Sequence, residues 1–144
     1  MTRNYQALVG DRIYLGGAAD VKEMISEAGC EVIIDLREEA EDSGNLSEHV
    51  TRIQVPIGDQ SDTPQAELIG QAIKHVVDAY NNGRRVGFHC GGGKGRTGAV
   101  AIGTLITLGL AESIEDAERQ AKSTRPVINI RPPQREALEN LFEK

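Results

Sequence analysis

The residues from Val86 to Gly98 read Val-Gly-Phe-His-Cys-Gly-Gly-Gly-Lys-Gly-Arg-Thr-Gly, and their types and spacing could do chemistry together. Arg85 to Phe88 is a short run that reads as a buried strand, ending at His89-Cys90. Gly91, Gly92, Gly93, Lys94 and Gly95 follow, and Arg96-Thr97 opens an apolar segment of helical length. A cysteine at a strand end, a glycine-rich loop and an arginine at a helix start suit a phosphate-like anion. Glycine lets the backbone approach a ligand with no Cβ in the way. Successive backbone N–H groups can then form a concave anion nest. The helix start adds unpaired N–H groups and the positive end of its dipole. Arg96 can hold two oxyanion oxygens with its planar fork. In such a field a thiol falls well below its free pKa of about 8.5 and becomes thiolate, a nucleophile beneath the held phosphorus.

His89-Cys90-x5-Arg96-Thr97-Gly98 resembles the His-Cys-x5-Arg-Ser/Thr signature of cysteine-dependent phosphatases, most nearly the dual-specificity branch. Ile13-Tyr14-Leu15-Gly16-Gly17 is similar to that family's opening strand, and Val32 to Glu39 to its second. The resemblance implies a central mixed, mainly parallel sheet of four to five strands flanked by helices. Two other phosphate loops are excluded. The Gly-x4-Gly-Lys-Ser/Thr loop fails because Phe88 stands at its first glycine and Gly95 at its Ser/Thr. Gly93-x-Gly95-x-x-Gly98 matches the dinucleotide pattern. The strand with a terminal acid that should follow is replaced by Ser113 to Ser123, which reads as helix.

The elements that must position this loop alternate between strand and helix, which indicates a layered α/β domain. Arg12–Leu15 reads as a strand, Asp20–Glu27 as a helix stopped at Gly29, and Cys30–Leu36 as a buried strand. Glu38–Glu48 reads as an acidic surface loop beside a solvated His49, and Val50–Pro56 as another strand. Thr63 as cap and Pro64 as first helical residue open a helix to about Asn81. His75 on that helix reads as a surface residue. Ala99–Leu108 is apolar on nearly every side and should be a buried central helix. A helix capped by Ser113 runs to about Thr124, Arg125-Pro126 breaks it, and Pro132-Pro133 opens a last amphipathic helix. Residues 1–144 read as one catalytic domain without repeats or linkers.

A net charge of −6 disfavours nucleic acid and anionic membrane as partners, so the field at the loop must be local. Met1–Gly10 is too polar for a signal peptide, and no apolar run approaches a membrane span. The two cysteines, Cys30 and Cys90, suggest a reducing, cytoplasmic setting, with Cys30 read as a core residue rather than a redox partner.

Expelling an alcohol from phosphorus needs a proton donor on another segment. The resemblance puts an aspartate about thirty residues before the cysteine, where Asp59 and Asp62 both lie. Val55-Pro56-Ile57-Gly58-Asp59 fits the family pattern better, and Asp62 reads otherwise as a helix N-terminal residue. Thr97 can donate its hydroxyl to the thiolate. The resemblance implies a structural role for His89, and for Gln134 a place facing the site where it could position water. Lys94 matches a lysine of lipid-phosphatase relatives, but Gly91 stands where they carry a second basic residue. The expectation is a metal-independent phosphatase with no cofactor and a shallow, tolerant pocket. Its substrates would be phosphorylated proteins or other phosphomonoesters, and oxyanions such as phosphate or vanadate would inhibit it. The alternatives are a phosphoinositide or small-molecule phosphatase, and a phosphate-binding module without turnover.

Overall fold

The computed structural model describes residues 5–37, 50–57 and 64–142. Asp59 and Asp62, the two candidate acids, lie outside the described residues, as do His49 and Thr63. The strands are β1 (Gln6–Val9), β2 (Ile13–Gly17), β3 (Val32–Arg37), β4 (Thr51–Ile57) and β5 (Val86–Cys90). The helices are α1 (Val21–Ser26), α2 (Gln65–Asn81), α3 (Arg96–Thr107), α4 (Ile114–Thr124) and α5 (Pro132–Phe142). A short 3₁₀ turn, Ala18–Asp20, joins β2 to α1. The five strands form one sheet in the order β1-β2-β5-β3-β4. Only β1 runs antiparallel to its neighbour, so the sheet is mixed and mainly parallel, as expected.

Parallel strands end on the same edge. Gly17 of β2 pairs with Cys90 of β5, and Asp35 of β3 pairs with His89. The central strand β5 therefore delivers His89-Cys90 to an edge that β2 and β3 also reach. Ligands of open α/β sheets gather at this carboxyl edge. Both faces of the sheet are covered, and so β3 is buried from Val32 to Leu36 instead of alternating.

Side chains alternate across β5. Phe88 and Cys90 face the larger core with α2, α3, α4 and α5. The other face carries a smaller cluster of Tyr5, Tyr14, Met24, Ala28, Cys30 and Ile33. The two cysteines thus sit in different layers, and both are unpaired. Helix α3 is buried from Thr97 to Leu105 and forms the spine under the sheet, as its all-round apolar sequence requires.

Three local details differ from the sequence reading. Gln6–Val9 forms an edge strand whose four residues are too few to show a period. Pro64 is the cap of α2 with an extended ψ of 141°, one place earlier than the first helical position. The first helix is one residue shorter at each end, because Asp20 closes the 3₁₀ turn and Glu27 is the C-terminal cap. Ser113 caps α4 as read, its hydroxyl accepting from the Asp116 N–H at 3.0 Å. None of the described helices is long and apolar enough to cross a membrane.

Beside the site edge, Asp35 is fully buried and answered by two guanidinium groups. Arg37 donates from Nε at 3.0 Å and Nη2 at 2.9 Å, and its backbone N–H adds a bond at 3.0 Å. Arg52 donates from Nη2 at 2.7 Å. Burial pushes the carboxyl up, but the Arg37 bonds together with the charges of His89 and Arg37 outweigh it and hold the pKa at about 2 instead of 3.8. A carboxylate lowered on folding stabilises above its unfolded pKa and loses that contribution as pH falls toward its folded one. The shift corresponds to about 2 kcal/mol. Denaturant unfolding should show this stability leaving the native protein between about pH 4 and pH 2, and an Asp35→Asn variant should lack that acid-dependent step.

Candidate active site

Cys90 ends β5, and residues 91–95 turn back to meet α3 at Arg96. Each loop carbonyl from Cys90 to Gly95 has a donor outside the loop. Cys90 O lies 3.2 Å from His89 Nδ1, and a carbonyl can only accept, so that nitrogen carries the hydrogen. Gly91 O accepts from the Ala18 N–H at 3.0 Å. Gly92 O accepts from Arg125 Nη2 at 3.2 Å, and Gly93 O from Arg125 Nε at 2.9 Å. Lys94 O accepts from the Asn129 N–H at 3.1 Å, and Gly95 O from the Ala99 N–H at 2.9 Å. In a trans peptide the next N–H points opposite to the carbonyl. With the carbonyls engaged outside, the amides face the loop's interior, which is the arrangement of an anion nest.

The turn needs glycine in two ways. Gly93 has φ +70°, and a Cβ there would meet Gly16 O and Arg125 Nη2, each at 2.7 Å. At Gly95 a Cβ would come within 2.9 Å of Gln134 Oε1.

The Cys90 sulfur is enclosed by donors. The Thr97 hydroxyl donates to Sγ at 3.1 Å. Burial raises the thiol's pKa. The Thr97 hydroxyl, the Thr97 and Gly93 N–H groups and the Arg96 charge outweigh burial, so the net shift is downward. His89 moves down from its ordinary value because it is buried, although the Asp35 charge opposes this. The imidazole is therefore neutral near pH 7 and serves as a donor to Cys90 O.

Arg96 Nη1 donates to Ile57 O at 3.1 Å, which fastens the end of β4 to the loop's arginine. Gln134, on the first turn of α5, is buried beside Gly95, with Oε1 accepting the Arg131 N–H at 2.8 Å. Lys94 is exposed on the rim with Gly91 and Gly92. The structure thus gathers Cys90, Arg96, Thr97, His89, Gln134 and Gly91 to Gly95 around one point. Among the described residues, no three His, Cys, Asp or Glu side chains cluster as metal ligands would.

Cys30 is remote from this point. Its Sγ is 3.2 Å from where a Cβ on Gly87 would stand, three residues before Cys90 and on the other face of the strand. Burial pushes its thiol up to about 12, with Arg85 only partly opposing.

The sequence reading missed the outer donors. Arg125 showed there only as the end of a helix, and Ala18 and Asn129 act through backbone N–H groups that no side chain advertises. Asp20 was also missed. Buried beside Gly17, it accepts the Gly17 N–H at 2.8 Å and steadies the turn that carries Ala18.

The family described as polymorphic toxin system, DSP-PTPase phosphatase matches residues 10–110. Dual specificity protein phosphatase 18 of Pongo abelii is 28% identical over 113 residues, covering 78% of this chain and 58% of that protein. The chain therefore spans less than two thirds of that relative. A mouse protein described as a dual specificity phosphatase, complexed with zinc tungstate, superposes with a TM-score of 0.84 at 18% identity over 99% of this chain and 89% of that one. Tk-PTP in the active form superposes with a TM-score of 0.81 at 24% identity over 100% and 99% of the two chains.

The Thr97 hydroxyl bond makes a direct prediction. A hydrogen bond to a charged group is worth about 1.5–3 kcal/mol. Thr97→Val should therefore slow alkylation of Cys90 near pH 6 by about tenfold, while Thr97→Ser retains the native rate.

Proposed function

The chain belongs to the polymorphic toxin system DSP-PTPase phosphatase family, within the dual-specificity-like cysteine phosphatases, and from that premise we propose that it hydrolyses phosphomonoesters without a metal, by way of a cysteinyl-phosphate. The observation that carries the reading is the loop whose carbonyls are engaged outside while the Gly93 N–H and the hydroxyl and N–H of Thr97 converge on the Cys90 sulfur. A structural turn would need no acidic thiol. A module that only binds phosphate would not need one either.

In the first step the Cys90 thiolate attacks phosphorus, the P–S bond forms and the P–O bond to the alcohol breaks. Arg96 and the loop amides hold the three non-bridging oxygens, where charge develops. Asp59 gives its proton to the departing oxygen. In the second step water attacks phosphorus, Asp59 takes one of its protons, and the P–S bond breaks to release phosphate and thiolate. Asp59 lies two residues past Ile57, whose carbonyl accepts from Arg96, which supports it over Asp62. The Thr97 hydroxyl steadies the sulfur when it leaves. Gln134 is assigned the orientation of this water, a role supported by its closeness to Gly95.

The substrate class proposed is phosphoprotein, on tyrosine or serine/threonine. The rim supports tolerance, since Gly91 and Gly92 bring no side chains and Lys94 supplies one exposed cation. That cation favours a second reading, a phosphoinositide or small anionic phosphomonoester. Turnover of phosphotyrosyl and phosphoseryl peptides against phosphoinositide vesicles separates the two.

Hydrolysis of a chromogenic aryl phosphate should persist in chelator and be blocked by vanadate. Cys90→Ser should lower it by at least about a thousandfold while the protein still binds phosphate. Asp59→Asn should reduce kcat about a hundredfold with little change in KM. If Asp62→Asn does so instead, the acid is Asp62. Full turnover by Cys90→Ser would reject the mechanism.

A further inference from the structure

In the sequence, Arg125 marks only the break after α4. In the structure its guanidinium is buried and, among the described residues, reaches three acceptors on two parts of the chain. Nε donates to Gly93 O at 2.9 Å, Nη2 to Gly92 O at 3.2 Å, and Nη1 to Gln6 Oε1 on β1 at 2.7 Å. The carbonyls of Gly91, Lys94 and Gly95 are held by backbone N–H groups of Ala18, Asn129 and Ala99, which side-chain replacement leaves in place. Those of Gly92 and Gly93 are held by Arg125.

Peptide planarity makes this bond consequential. Fixing Gly92 O on Arg125 aims the Gly93 N–H the other way, and fixing Gly93 O aims the Lys94 N–H likewise. The Gly93 N–H is among the donors to the Cys90 sulfur. Positive φ at Gly93 is compatible with several orientations of the neighbouring peptides, since glycine has little intrinsic preference. A planar fork of three donors selects one of them. Gln6 holds the third nitrogen and thereby the plane of the guanidinium.

We propose that Arg125, oriented by Gln6, is a positioning residue for the anion loop, turning the Gly93 and Lys94 amides onto the nucleophile and its phosphate without touching either. The proposal rests on Cys90 being the nucleophile. A buried cation at the end of α4 has a plainer use, as a partner for backbone carbonyls and the helix dipole. That role would act on stability alone. Lysine at this position keeps the charge but cannot span three acceptors with one ammonium. Arg125→Lys therefore separates the geometry of the fork from its field.

The test follows alkylation of Cys90 by iodoacetamide against pH on the full chain, with vanadate inhibition and thermal melting measured in parallel. Arg125→Lys should alkylate about tenfold more slowly near pH 6 and bind vanadate about tenfold more weakly, as expected when oxyanion donors are misaimed. Gln6→Leu should move both readouts in the same direction by about twofold to threefold. Val76→Ala, a buried change on α2 far from the loop, should lower the melting temperature and leave both readouts native. If Arg125→Lys and Gln6→Leu keep the native alkylation profile and vanadate affinity, even with lowered melting temperatures, the proposal is overturned. Should Arg125→Lys fail to fold, Gln6→Leu decides by the same two readouts. A native Cys90 that is not acidic, or native protein without aryl phosphate turnover, instead refutes the proposed function. An acidic native thiol that the variants leave unmoved refutes only the positioning role.

Discussion

A peptide unit is a rigid plane with a donor at one side and an acceptor at the other. To aim several amides at one point, the chain must satisfy as many carbonyls in the opposite direction, away from water and away from the ligand. This constraint organises the molecule. The donors that meet it come from the 3₁₀ turn after β2, from the residue closing α4, from the segment before α5, from α3 itself and from His89. Ala18, Arg125 and Asn129 lie far from the loop in sequence and meet it only in the fold.

That order explains why β5 lies in the centre. Flanked by β2 and β3, it ends where Gly17 and Asp35 also end. β2 leads directly into the turn that holds Gly91 O. β3 supplies the carboxylate beside His89, and β4 ends on Arg96. Helix α3 is buried nearly all round because its first residues, Thr97 above all, must sit directly under the sulfur. The apolar spine and the reactive loop are thus one continuous piece of chain, and packing of the spine fixes where the loop stands.

Much of this was legible in the residues. The strand–loop–helix around Cys90, the burial of α3, the Ser113 cap and the α/β layering each rest on a local signal: a period, a glycine run, a capping hydroxyl. Cys90, Thr97 and Arg96 are adjacent by spacing alone. Gln134 could be assigned to the site only through resemblance, since forty-four residues separate it from Cys90 in the chain. The outer donors were illegible for a different reason. Ala18 and Asn129 act through backbone groups common to nearly every residue. Arg125 differs from a surface arginine only in what surrounds it, and among the described residues its surroundings include Gly92, Gly93 and Gln6. The one available sign was an arginine directly before a proline at a helix end, a place where the chain must turn inward or outward and the side chain goes with it.

The two cysteines show how much of the chemistry depends on direction rather than on depth. Both are nearly inaccessible. Burial by itself disfavours the thiolate at each. Cys30 lies among Tyr5, Met24 and Ile33, where the main opposing influence is the charge of Arg85, and its thiol is pushed up to about 12. Cys90 receives the Thr97 hydroxyl, two backbone N–H groups and the field of Arg96, and its pKa falls. Arginine charge acts on both sulfurs, so charge is not what separates them. The difference is the set of hydrogens aimed at the Cys90 sulfur, where Cys30 has apolar neighbours and the Arg85 charge. Such hydrogens are aimed only where the carbonyls behind them have been engaged elsewhere. In this fold, acidity at Cys90 is therefore a property of the whole carboxyl edge of the sheet.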